Sequence, residues 1–278
     1  MGRGLSDALR EVRERLAQGP HLLLCMDFDG TLTPLVDDPA QATLSPDTRR
    51  VLLSLAAREG ISLVLISGRS RADLQALVGI PGLIYAGNHG LEISGTGFIF
   101  VEPTAARCSK ALKELAADLA RKLQHIPGTS VEDKGLTLSV HYRQAAATDR
   151  EEVQAIAHAA TANTKHNFRL TRGNQVLEIR PRVPWDKGIA VRWIREQLGK
   201  PKALTIYLGD DVTDEDAFVA LPEAITIKVG RTSETAAQYQ LEGPAVVHRF
   251  LELVEPHLSR KAICVAATEG TGTGGEEA

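Results

Sequence analysis

The chain has 278 residues, 43% of them hydrophobic, and a formal net charge of −3. That is enough apolar content for a sizeable core, and too balanced a charge for a nucleic-acid or membrane-surface partner. Three cysteines, Cys25, Cys108 and Cys264, are odd in number and far apart, which argues against a disulfide framework or a paired-cysteine metal site and favours a reducing compartment. The charged N-terminus lacks the apolar centre of a signal peptide, and no run approaches the ~20 apolar residues of a spanning helix. The expected location is the cytoplasm.

In chain order, residues 6–17 show helical spacing behind Ser6, and Gly19-Pro20 ends that pattern. Leu22 to Met26 reads as a buried strand, 47–58 as a helix opened by Ser45-Pro46-Asp47, and Leu63 to Ile66 as a second buried strand ending at Ser67-Gly68-Arg69. A helix over 71–78 and a third buried strand, Leu83 to Ala86, lead to the loop Gly87-Asn88-His89-Gly90. This is the opening rhythm of a parallel sheet.

The style then changes. A long helix over 104–124 precedes alternating segments at 129–133 and 136–142, a helix at 149–161, and strands at 167–170 and 175–180. After Pro181 and Pro184 the buried-strand rhythm returns: a helix over 187–197, strand Leu204 to Leu208, a helix after Asp214, strand Ile225 to Val229, and closing helices. The expected fold is α/β, a Rossmann-like parallel-sheet core formed by 1–103 and 184–266, interrupted by an inserted α/β module over 104–183. The Thr/Gly/Glu-rich stretch 267–278 is expected to be a flexible tail.

Asp27-Phe28-Asp29-Gly30-Thr31-Leu32 follows the first strand directly. Ligands bind at the carboxyl ends of strands in a parallel sheet, so both aspartates are delivered there by the fold. Their i, i+2 spacing brings two carboxylates to one small ligand, and Gly30 permits the turn behind them. A nucleophile and a general acid then lie in one hexapeptide, with a divalent cation to relieve their repulsion. Ser67-Gly68-Arg69 offers a hydroxyl and N–H groups at a helix start, a place for phosphoryl oxygens. Lys187 opens a helix, where a cation is unfavourable unless an anion is present. Residues 210–216 hold five acids in seven positions after a buried strand, the hard oxygen ligands that magnesium takes, although Glu215 and Asp216 also suit a helix start.

Taken in order, DFDGTL (27–32), SGR (67–69), WDKG (185–188) and GDDVTDED (209–216) resemble the four motifs of the haloacid dehalogenase superfamily of phosphotransferases. The module between SGR and Lys187 is similar to that superfamily's large α/β cap. More closely, GNHGLE (87–92), EDKG (132–135), HYR (141–143), EIRP (178–181) and YLGDDVTDED (207–216) resemble the trehalose-6-phosphate phosphatase family, over about residues 20–255. The resemblance implies a Mg2+-dependent phosphoric monoester hydrolase acting on a small sugar phosphate, with the core catalytic and the cap setting specificity. Asp27 would attack phosphorus, and Asp29 would protonate the leaving oxygen and later activate water. Ser67 and Lys187 would hold phosphoryl oxygens, with Thr31, Gly68 and Arg69 beside them. Asp27, the Asp29 carbonyl and Asp210 would bind the metal, with Asp211 or Asp214 behind. In the cap, Lys134, His141, Arg143 and Glu178 would surround the sugar.

Alternatives stay open at this level. His141 also suits a core histidine, Glu178 with Arg180 a structural ion pair, and Asn88 with His89 a loop that joins core to cap. A phosphatase of another sugar phosphate with the same cap, a non-catalytic sugar-phosphate sensor and a phosphomutase are the rival functions. Pro103, Pro181 and Pro184 would make stiff hinges for a closing cap.

Overall fold

A computed structural model describes residues 3–36, 39–173 and 175–265, with side chains as far as 255. The expected tail at 267–278 and the side chain of Cys264 lie outside the described residues. In chain order the first elements are α1 (Leu5–Leu16), β1 (Leu22–Met26), α2 (Pro46–Ala56), β2 (Ile61–Ile66), α3 (Arg71–Val78), β3 (Ile84–Gly87), β4 (Glu92–Gly95) and β5 (Phe98–Val101). Next come α4 (Pro103–Leu123), β6 (Ser130–Asp133), β7 (Leu138–His141), α5 (Arg150–Ala162), β8 (Phe168–Arg172) and β9 (Val176–Pro181). The chain continues through α6 (Lys187–Gln197), β10 (Leu204–Gly209), α7 (Val212–Ala220), β11 (Ile225–Val229), β12 (Tyr239–Leu241) and α8 (Pro244–Val265).

Eight strands form one sheet in the order β12-β11-β10-β1-β2-β3-β4-β5. The pairings from β12 to β3 are parallel, so the carboxyl ends of β1, β2, β3 and β10 share one edge. All five residues of β1 are buried because helices cover both faces. Leu22, Leu24 and Met26 join the core beneath α1, α2, α3 and α8, while Leu23 and Cys25 join the opposite core beneath α6 and α7. The period of two splits one apolar run between two layers.

The antiparallel hairpin β4–β5 extends this sheet, over residues to which the sequence reading assigned no element. Its strands meet across Gly95-Thr96-Gly97, with Gly97 at a φ of 86°, and Ile99 on the outer strand is exposed. α7 begins at Val212, ahead of the expected start after Asp214, because Asp211 and Asp214 form a reciprocal capping box at its N-terminus.

Between β5 and α6 the chain builds a second sheet, β6-β7-β9-β8, antiparallel throughout. Leu138, Val140, Phe168, Leu177 and Ile179 pack one face against α4 and α5. Alternation puts Ser139, His141, Glu178, Arg180, Arg169 and Thr171 on the other face, and several of these reach the strand ends of the first sheet.

Candidate active site

Asp27 is the first residue beyond β1 and is buried. Lys187, the first residue of α6, donates from Nζ to Asp27 Oδ1 at 2.8 Å and to Asp214 Oδ1 at 2.7 Å. The N-cap Asp186, which accepts from the Ile189 N–H, fixes where α6 begins. Burial alone would strip the Lys187 charge, but Asp214 and Asp27 outweigh it and drive the ammonium pKa upward. Asp214 is fully buried and committed: Tyr207 donates to its Oδ1 at 2.7 Å and the Asp211 N–H to its Oδ2 at 3.0 Å.

Carboxylate oxygens of Asp27, Asp210 and Asp214 lie within 4.8 Å of one another. Three carboxylates around one ammonium leave an excess of two negative charges. Burial, opposed by Lys187 and aided by Asp214 and Asp210, pushes the Asp27 pKa well up. Burial and Asp214 push Asp210 up to about 7. Such a cluster holds either a proton or a cation. The donors are hard oxygens, which suits Mg2+. With Asp214 occupied by Lys187, Tyr207 and Asp211, the acids free to hold a metal are Asp27 and Asp210. Asp211 is exposed and caps α7. Gly30 sits at a φ of 82°, and a Cβ there would land on the Asp210 carboxylate, so only glycine lets the turn after Asp29 approach this oxygen cluster.

The motif after β2 is built around Ser67, buried, whose Oγ accepts from the Arg69 N–H at 3.2 Å. Thr31, also buried, donates to Asp210 Oδ1 at 3.1 Å. Arg69 grips Asp29 with both arms, Nε and Nη2 each 2.7 Å from a carboxylate oxygen, and reaches Asp73 and the Pro39 carbonyl besides. The His89 ring stands over Gly68, where it leaves no room for a Cβ. Asn88 and His89 both adopt positive φ, 49° and 59°, an unusual backbone for non-glycine residues that turns the chain sharply off β3.

The second sheet supplies Lys134 and Glu178. Lys134 Nζ donates to the Gly68 carbonyl at 2.8 Å and to both oxygens of Glu178 at 3.1 Å. Ser139 adds a hydrogen bond at 2.6 Å to Glu178. Burial would raise the Glu178 pKa, but Lys134, His89 and Ser139 overcome it and hold the carboxyl far below the usual range. Asn88 bridges the two sheets, donating to Glu92 and to the Lys134 carbonyl while accepting from Thr137. Arg143 donates to the Val36 carbonyl of the loop after β1 at 3.1 Å. His141 sits apart on β7, half-exposed and 2.9 Å from Glu132, so it is not a core histidine. Glu178 pairs with Lys134 and not with Arg180, contrary to the structural ion pair considered from sequence.

Sequence reasoning missed Tyr207, which orients Asp214, and Lys228, whose Nζ donates to the Asp210 carbonyl at 2.6 Å. A lysine inside the apolar run Ile225 to Val229 was the available signal, since a buried ammonium requires a partner.

Fold and site together define the haloacid dehalogenase-like fold, with a second α/β module between β5 and α6. The same architecture occurs in a haloacid dehalogenase-like hydrolase from Bacteroides thetaiotaomicron, with a TM-score of 0.58 and 18% identity over 84% of this chain and 98% of that one. Residues 25–245 match the family model described as trehalose-phosphatase, and the chain belongs to that family. A trehalose-phosphate phosphatase of Mycobacterium tuberculosis is 40% identical over 259 residues, 90% of this chain and 63% of that protein. The chain therefore spans less than two thirds of that relative's length. The C-terminal domain of the Candida albicans trehalose-6-phosphate phosphatase superposes with a TM-score of 0.77 at 23% identity, covering 92% of this chain and 98% of that domain.

Proposed function

We propose that the protein hydrolyses trehalose 6-phosphate to trehalose and phosphate through a phosphoaspartate on Asp27. The observation that carries this reading is the buried Asp27, bonded to Lys187 and sharing an oxygen cluster with Asp210, a residue far away in sequence. Asp27 Oδ1 receives Lys187, while Oδ2 accepts no hydrogen bond among the described residues. That oxygen forms the bond to phosphorus as the bond from phosphorus to the sugar oxygen breaks. Lys187, Ser67 and the Gly68 N–H hold the phosphoryl oxygens. Thr31 acts through the Asp210 carboxylate that it steadies.

Asp29 takes up a proton from solvent on release from Arg69, gives it to the departing sugar oxygen, and then takes one from the water that displaces Asp27 from phosphorus. To do so it must leave the Arg69 fork, and the substrate supplies a competing anion for that guanidinium. Mg2+ held by Asp27 and Asp210, with the carbonyl of Asp29, would neutralise charge on the phosphoryl group. Asp211 and Asp214 support that site from behind.

Residues 104–183 act as a cap that selects the sugar, and 1–103 with 184–266 as the catalytic core. Lys134, Glu178 and Arg143 offer donors and acceptors for sugar hydroxyls, with His141 at the rim, while Asn88, committed to Glu92, Lys134 and Thr137, and the buried His89 shape the joint behind them. Among the described residues no helix is long and apolar enough to cross a membrane, and Cys25 and Cys108 are free thiols. A cytoplasmic setting agrees with both.

Phosphate release from trehalose 6-phosphate, with and without a chelator, tests the reading. Asp27→Asn and chelator are each expected to lower turnover about a hundredfold or more. Undiminished release by Asp27→Asn would refute the covalent route, and release from sucrose phosphate but not trehalose 6-phosphate would refute the substrate.

A further inference from the structure

The Asn88–Leu91 turn of the first sheet and the 181–185 crossing from the second line a cavity of about 10 Å³ whose walls include His89, Arg169, Arg180 and Trp185. Arg169 and Arg180 are direct cross-strand partners in the β8–β9 register, so their side chains leave the sheet on the same face. Neither forms an ion pair among the described residues. Arg180 is 7% exposed and keeps one long donation, from Nη2 to Thr171 Oγ1 at 3.5 Å. The Nε atoms of both arginines and both ring nitrogens of His89, itself 8% exposed, are buried without a hydrogen-bond partner.

Two guanidinium groups side by side at a buried joint are costly unless an anion joins them. Burial and the neighbouring Arg169 both work against the charge on Arg180. Glu178, Asp211 and Asp216 attract Arg180 only from a distance, and Glu178 is already taken by Lys134 and Ser139, with His89 Nε2 3.9 Å from it. Burial lowers the His89 pKa to about 3, so its ring is neutral and carries a single N–H. Two arginine N–H groups and the neutral His89 ring therefore line this small space. An anion there accepts from both guanidinium groups and offsets their like charge, which a water cannot do.

We propose that Arg169, Arg180 and His89 form a binding site for a single monatomic anion, chloride or bromide, at the joint between the two sheets. The anion offsets one charge of the arginine pair and ties β8 and β9 to the Asn88–Leu91 turn of the first sheet. It takes no part in phosphoryl transfer, so the site exists whether or not the catalytic reading holds.

The test is thermal unfolding of the full chain in sodium gluconate, with chloride replacing gluconate at constant ionic strength. Binding to the folded state alone predicts a rise in Tm that grows with the logarithm of chloride above Kd, roughly 3 °C or more at ten times Kd. The inactive Asp27→Asn variant should show the same rise, and Arg169→Met should lose it. A Tm that ignores chloride, or a rise that persists in Arg169→Met, overturns the proposal. Should Arg169→Met fail to fold, wild-type crystals soaked in bromide decide the matter. An anomalous peak between the two guanidinium groups supports the site, and its absence there rejects it.

Discussion

Asp29 shows how much a single side chain's partner matters. Both of its oxygens are held by Arg69, so the proposed acid is parked on a cation until substrate arrives. If Asp29 delivers the proton to the leaving oxygen and later takes one from water, its loss should depend on the leaving group. With p-nitrophenyl phosphate, whose leaving group departs without a proton, Asp29→Asn is expected to release about one equivalent of nitrophenolate in a burst and then stall as phosphoenzyme. Stopped-flow absorbance measures this, and an equal slowing of burst and steady state would contradict the assignment. The aspartates themselves could be read from sequence because β1 delivers them to the sheet edge. The Arg69 fork could not be, since nothing in two segments 40 residues apart specifies which face each side chain takes.

At the scale of elements, local chemistry set the boundaries more tightly than the sequence reading anticipated. Ser45 caps α2 by accepting from the Thr48 N–H at 3.1 Å, with Pro46 behind it. Ser45→Ala is expected to cost about 1 kcal/mol and lower Tm by about 2–4 °C while leaving turnover unchanged. Calorimetry beside an activity assay checks both halves, and a loss of activity without a loss of Tm would point to a different role. The buried strands β1, β2 and β10 were legible because apolar runs bounded by Gly, Ser and Asp leave little choice. The β4–β5 hairpin escaped because its alternation is short, its turn is Gly-Thr-Gly, and its outer strand exposes Ile99. Lys134 and Glu178 were flagged through family likeness alone. Their mutual contact depends on how the second sheet meets the first, which no local pattern encodes.

For the molecule as a whole, the joint between sheets carries a pH dependence. His89 is held neutral by burial, its pKa lowered from an ordinary 6.5 to about 3. The unfolded chain therefore binds an extra proton between those values. Stability that is fully present above pH 6.5 drains away as pH falls toward about 3. Urea midpoints measured at about pH 7.5 and pH 5 should show the loss, and His89→Gln should reduce the difference between them. An unchanged difference in the variant would assign the acid sensitivity to other groups.

The indole of Trp185 donates to the Gly90 carbonyl at 2.8 Å and stacks on Phe100, which also meets Trp193. Both of the chain's tryptophans thus sit in one aromatic knot on the core side of the 181–185 crossing. Trp185 adjoins that hinge, so rocking of one sheet against the other is expected to change the surroundings of its indole and alter its emission. Titration with a non-hydrolysable sugar phosphate should shift the spectrum of wild type and leave Trp185→Phe largely dark to the ligand, and a flat response in wild type would mean that the two sheets stay locked together.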